Sequence, residues 1–143
     1  MQSDRHITAG YWLETARQDL FVADDYTTRL PHVACFHAQQ CAEKALKAVL
    51  TEIAGDAPRT HVAYQLLEEL TATKVTAPEE IAEAARGLDK FYAPTRYPDA
   101  LGGVNPLHAF SRNDATNACA AARSVIDWCA NQISEKGENS LEL

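Results

Sequence analysis

Apolar residues recur at helical spacing in five stretches of the chain, and no stretch alternates at the period of a strand. The first helix is predicted from about Thr8 to Leu30, with Trp12, Ala16, Leu20, Ala23, Thr27 and Leu30 on one stripe. Asp19 lies on the wheel between Trp12 and Ala23, where a carboxylate has to be paired or reach the edge of the core. Pro31 and His32 make the break. The second helix, about 33–54, contains Val33 to Leu50, eighteen residues free of Gly and Pro and rich in good helix formers. On a wheel of about 100° per residue, Ala34, Ala38, Cys41, Ala42, Ala45, Leu46, Ala48 and Val49 share one side. His37, Gln39, Gln40, Glu43, Lys44 and Lys47 take the other, with Phe36 in the middle of that polar arc. A face built mostly of Ala lets neighbours approach closely, which puts this helix at the centre of a bundle.

Gly55 is the expected C-cap of the second helix. A third helix, about 61–73, turns Val62, Leu66, Leu67 and Leu70 inward. Thr76-Ala77-Pro78-Glu79 fits a capping box and starts a fourth, about 77–92, with Ile81, Ala85, Leu88 and Tyr92 inward. Ser111 and Asp114 cap the last, about 112–134, whose stripe is Ala115, Cys119, Ala122, Ile126, Cys129 and Ile133. Trp128 points away from that stripe. Between the last two lies an irregular segment, 93–110, with three of the six prolines and two of the six glycines. Loops of that length in compact domains carry function or mobility. The pattern predicts an all-α fold, an antiparallel up-down bundle of four or five helices.

At 143 residues the chain is expected to be one domain, able to bury roughly 68% of its unfolded surface. No apolar run reaches the roughly 18 residues of a membrane span, and the N-terminus lacks a signal-like apolar segment. The expectation is a cytoplasmic protein without membrane contact. The four cysteines sit on or beside apolar faces, without CxxC or zinc-ligand spacing, and read as buried reduced thiols. A net charge of −7 opposes indiscriminate nucleic-acid binding but allows a local basic pocket. Gly-rich phosphate loops and the common hydrolase motifs are missing, and no cofactor or metal is expected.

The runs WLETARQDL, FHAQQCAEKALKAVL, Pro58-Arg59-Thr60-His61 and YAPTRYPD, in this order and spacing, resemble the HEPN family. These are the "higher eukaryotes and prokaryotes nucleotide-binding" helical domains. The resemblance runs from about Gly10 to Ile133. It implies a small helical bundle, frequent homodimers and two branches. One binds nucleotides or partners a separately encoded minimal nucleotidyltransferase, often as a toxin–antitoxin pair. The other cleaves RNA with an Arg and a His separated by four to six residues. Counting excludes that motif here. From Arg96 the window holds Leu101, Gly102 and Gly103, and Arg86 and Arg112 fare no better. Arg29 and His37 are separated by seven residues, across the Pro31 break.

Each singled-out residue carries two readings. Arg96 can grip a phosphate with its planar fork, or pair with Asp19 or Asp99 and pin the segment to the bundle. Tyr97 can stack on a base or cap the core, and Asp99 after Pro98 makes a turn. Glu43 and Lys47 form an i,i+4 pair, worth a few tenths of a kcal/mol on an exposed helix. Lys44 and Lys47 are a solvated face or a phosphate site, and His61 is a local cap or a base. The expected ligand site joins Arg96, Tyr97, Asp99, Lys44, Lys47 and Gln40, with Asp19, Glu43 and His61 in support. Phe36 and Trp128 are expected at a homodimer interface. The expected function is non-catalytic nucleotide or RNA binding beside a nucleotidyltransferase partner. The alternatives are a ribonuclease toxin, with His108 approaching Arg96, and a structural dimerisation module.

Overall fold

The structure, a computed structural model, describes residues 3–97, 99 and 102–141, the side chains of Arg96 and of 135–141 excepted. Its elements are α1 (Asp4–Tyr26), α2 (Pro31–Ala54), α3 (Ala63–Ala72), α4 (Glu79–Asp89), α5 (Tyr92–Arg96), α6 (Pro106–Ala109) and α7 (Arg112–Leu141). The fold is an all-α bundle, and no strand occurs among the described residues. No helix among them is long and apolar enough to cross a membrane.

α2 is the axis of the molecule and touches each of the other six helices. Its Ala-rich side is fully buried, together with Leu46 and Val49, against α1 and α7. Pro31 occupies the first turn, where a missing N–H is harmless, and Gly55 ends the helix at φ +88° with its N–H on the Thr51 carbonyl. Because neighbours surround α2, its polar arc is not a solvent face. Gln39, Glu43 and Lys47 are all buried, which corrects the expectation of an exposed arc.

α1 starts earlier than its pattern suggests, at a Ser3 cap that accepts from the His6 N–H, and Ala16 and Ala23 of its expected stripe face the core. The inward row is Ala9, Leu13, Ala16 and Ala23 with Asp19 among them, while Trp12 and Leu20 are half-buried at its flank. The Thr76 capping box does not form: α4 begins at Glu79 behind Pro78, with no side-chain cap. α3 is capped instead from across the bundle, where the Asp89 carboxylate accepts from the Ala63 and Tyr64 N–H groups at 2.7 and 2.9 Å. Ser111 and Asp114 do cap α7, each side chain accepting from the other's backbone N–H. The segment 93–110 is less irregular than expected. α5 and α6 lie within it and pack against α2, and Phe91 meets Phe110 edge to face.

Candidate functional site

The former polar arc of α2 is a belt of buried and half-buried acid–base pairs. Glu43 and Lys47 face each other one turn apart at 3.3 Å, with side chains only 5% and 7% exposed. Taking two charges out of water costs several kcal/mol each, so such a pair persists only with further partners. Glu43 has them. The exposed His61, just ahead of α3, brings Nδ1 to 3.3 Å from its carboxylate, and Gln40 donates to it at 3.5 Å. Gln39, fully buried, donates to the His61 carbonyl at 3.0 Å and so fixes the backbone that carries the imidazole.

One turn towards the N-terminus the motif repeats. The Asp19 carboxylate of α1 accepts from Lys44 Nζ at 2.8 Å and from His37 Nδ1 at 2.9 Å. Burial by itself would raise the Asp19 pKa, but the His37 and Lys44 hydrogen bonds and charges outweigh it and hold the group below the ordinary carboxylate value. Asp19 is therefore ionised. A carboxylate only accepts, so His37 presents a proton to Asp19 from Nδ1. The arrangement at Glu43 orients His61 in the same way.

Aromatic rings bound the belt on both sides. Trp12 of α1 lies under Lys47, with Nζ 5.6 Å from the ring centroid. Tyr92 of α5 stacks on His61 at 5.2 Å and 13°. Trp12 also lines an open groove of about 320 Å³ with Thr8, Tyr11 and Thr15. Chemically, the belt offers two carboxylate-held imidazoles, two ammonium groups and two flat rings.

The structure brings together Gln40, Lys44, Lys47, Glu43, His61 and Asp19 of the expected site. It corrects their electrostatics: each ammonium already has its own carboxylate, so the belt is not a free cationic patch. Asp19 is bonded to Lys44 and His37, and the pairing with Arg96 expected of it falls on a side chain outside the described residues. α5 carries the Arg96 backbone alongside α2, while its side chain and Pro98 of the RYPD run lie outside the described residues. Tyr97 is half exposed, and Asp99 makes a turn through its carbonyl and the Gly102 N–H. His108 sits exposed on α6. Phe36 is half-buried with its ring edge-on to His37, and half-buried Trp128 packs against the core, which corrects the view of both as exposed aromatics. Sequence reasoning missed His37, Gln39, Trp12 and Tyr92 as members of the site. The seven-residue spacing of Trp12 and Asp19, two helical turns, was the available signal. The contacts to α2 and to the start of α3 had none.

Among the described residues no group of three or more His, Cys, Asp or Glu side chains is placed to hold a metal ion. Comparison with known proteins adds the family. The HEPN domain model matches residues 9–133, a span that takes in the whole belt. A Methanocaldococcus jannaschii protein named "Putative toxin MJ1304" is 28% identical over 141 residues, 90% of each chain. TT1696 from Thermus thermophilus is 36% identical with a TM-score of 0.80, over 87% of this chain and 97% of that one. ST0689, an archaeal HEPN homologue, is 32% identical with a TM-score of 0.73, over the same shares. The match over residues 9–133, with homologous solved structures spanning most of both chains, means that this protein belongs to the HEPN domain family.

Proposed function

We propose that the protein binds a nucleotide or a short stretch of RNA at the α2 belt and acts beside a minimal nucleotidyltransferase in a toxin–antitoxin arrangement. The observation that carries this reading is the combination of paired ammonium and imidazole groups with flat rings on both sides. Trp12 and Tyr92 line the belt with rings, half-buried Lys44 offers a donor to phosphate, and Lys47 and Gln40 hold Glu43 behind it. Arg96, Tyr97 and Asp99, on the segment that α5 brings against α2, would form the rim. Since both lysines are engaged by carboxylates, binding is modest and weakens with salt as phosphate contacts release counterions. The relative named as a toxin supports the same setting for this chain.

A second reading, a ribonuclease toxin, is favoured by one specific observation. His37 and His61 are each held through Nδ1 by a carboxylate, the arrangement in which an imidazole can serve in proton transfer through its other nitrogen. Titration of labelled ATP, GTP and a short single-stranded RNA against wild type, Lys44→Met and Arg96→Ala decides between them. Binding without cleavage, weakened in both variants, is the expected result. Cleavage of the RNA that disappears in His61→Ala establishes the second reading, and failure of all three ligands to bind removes both.

A further inference from the structure

The belt holds two lysine–carboxylate pairs of unlike accessibility. Glu43 and Lys47 are both closed to water, and neither can leave the other without stranding a charge. Lys44 and His37 are partly exposed, while the Asp19 carboxylate that they share is buried between α1 and α2. Lys44 Nζ donates to one Asp19 oxygen at 2.8 Å and His37 Nδ1 to the other at 2.9 Å. An ammonium and an imidazole N–H thus converge on two oxygens of one anionic group. Two oxygens of a phosphate would take the same pair of donors.

We propose that Asp19 is a resident competitor for the phosphate, an internal anion that engages the two exchangeable donors of the belt and so restrains binding of an outside oxyanion. This rests on the reading that Lys44 is the belt's donor to phosphate, and adds how that donor is held back. The Lys44 ammonium rides on a flexible four-carbon stem and reaches solvent, so it can turn from Asp19 to a ligand. Each such contact is made by breaking an ion pair already present. Burial works to raise the Asp19 pKa, but the His37 and Lys44 hydrogen bonds and charges hold it below the ordinary value, so the competing charge is in place at neutral pH. A purely structural pair makes the opposite forecast, because removing the carboxylate would then cost stability and leave ligand affinity the same or lower.

Inorganic pyrophosphate, labelled ATP and a short single-stranded RNA, titrated at fixed pH and salt, provide the test. Asp19→Asn keeps the side chain's shape and removes its charge. It should bind all three about five- to tenfold more tightly than wild type, the order expected when one partly exposed ion pair no longer has to be broken. Asp19→Ser should do the same, and circular dichroism checks that both variants are folded. Glu14 stands exposed on the same helix. Glu14→Gln therefore changes the net charge equally, and at physiological salt it should shift binding by less than about twofold. The gain should vanish in the double variant Asp19→Asn, Lys44→Met. Unchanged or weaker binding by folded Asp19→Asn and Asp19→Ser overturns the proposal, as does an equal gain in Glu14→Gln or in the double variant; wild-type binding of ATP or RNA would then leave the reading of the belt standing. Tighter pyrophosphate binding in Asp19→Asn, with neither ATP nor RNA bound by any chain, upholds the restraint and removes that reading instead. Failure of every chain to bind any of the three overturns both.

Discussion

Glu43 and Asp19 show how the same chemistry carries different weight at different depths. The Glu43–Lys47 pair is almost closed to water, so removing the carboxylate leaves an ammonium in an apolar surround. Glu43→Ala is expected to cost about 3–5 kcal/mol, read from chemical denaturation. Asp19 serves Lys44 and His37, whose side chains are 23% and 26% exposed and can turn to solvent. Asp19→Ala should therefore cost less, about 1–2 kcal/mol; a loss equal to that of Glu43→Ala would mean that Lys44 cannot escape. Asp19 also makes a pH signature. Its folded pKa is lowered, so its stabilisation is complete above the ordinary carboxylate value and is lost as pH falls through the folded value. Asp89 runs the other way. Burial raises its pKa against the Ala63 and Tyr64 N–H bonds that lower it, so protonation favours the folded state there. Wild type should lose stability on acidification below pH of about 4, and Asp19→Asn should flatten that loss in a melt series, while leaving the opposing Asp89 contribution.

At the scale of elements, helix ends are set by single residues that can be tested. Gly55 closes α2 in the left-handed region, and a Cβ there would come within 2.9 Å of the Arg5 side chain. That side chain is flexible and can move, so the backbone decides the cost. Gly55→Ala should lose about 1–2 kcal/mol, seen as a lower denaturation midpoint with an unchanged slope. α1 and α2 differ in how they are held. α2 has neighbours on all sides, whereas α1 packs on α2 and α7 and leaves Ile7, Tyr11 and Phe21 in water.

For the molecule as a whole, the cysteines report on packing. All four are buried and unpaired. Burial pushes the Cys35 and Cys41 thiols up to about 12 and the Cys129 thiol well above its ordinary value. Burial also raises Cys119, partly opposed by its hydrogen bond with Thr27. Only a thiolate is nucleophilic, so these groups are inert while the bundle is closed. Alkylation at mildly alkaline pH should leave the native chain unmodified and label all four sites in denaturant. Partial labelling of native protein would reveal local opening around α2 or α7.

The sequence alone determined the all-α class, the position of α2 at the centre, the Gly55 stop and the Ser111–Asp114 cap. Helical period and capping are local properties, written within a few residues of where they act. The quoted runs also determined the family. Only the tertiary structure decided which polar residues are buried, because an i,i+4 pair such as Glu43–Lys47 looks the same in sequence whether its helix has one neighbour or six. The pairing of Asp19 with Lys44 and His37, the stacking of His61 on Tyr92 and the Asp89 cap of α3 all join residues far apart in the chain. No local pattern encodes those distances. The inward side of α1 was legible in Ala16 and Ala23, but that Leu13 and Asp19 are buried while Trp12 and Leu20 stay at the flank was fixed by packing against α2 and α7.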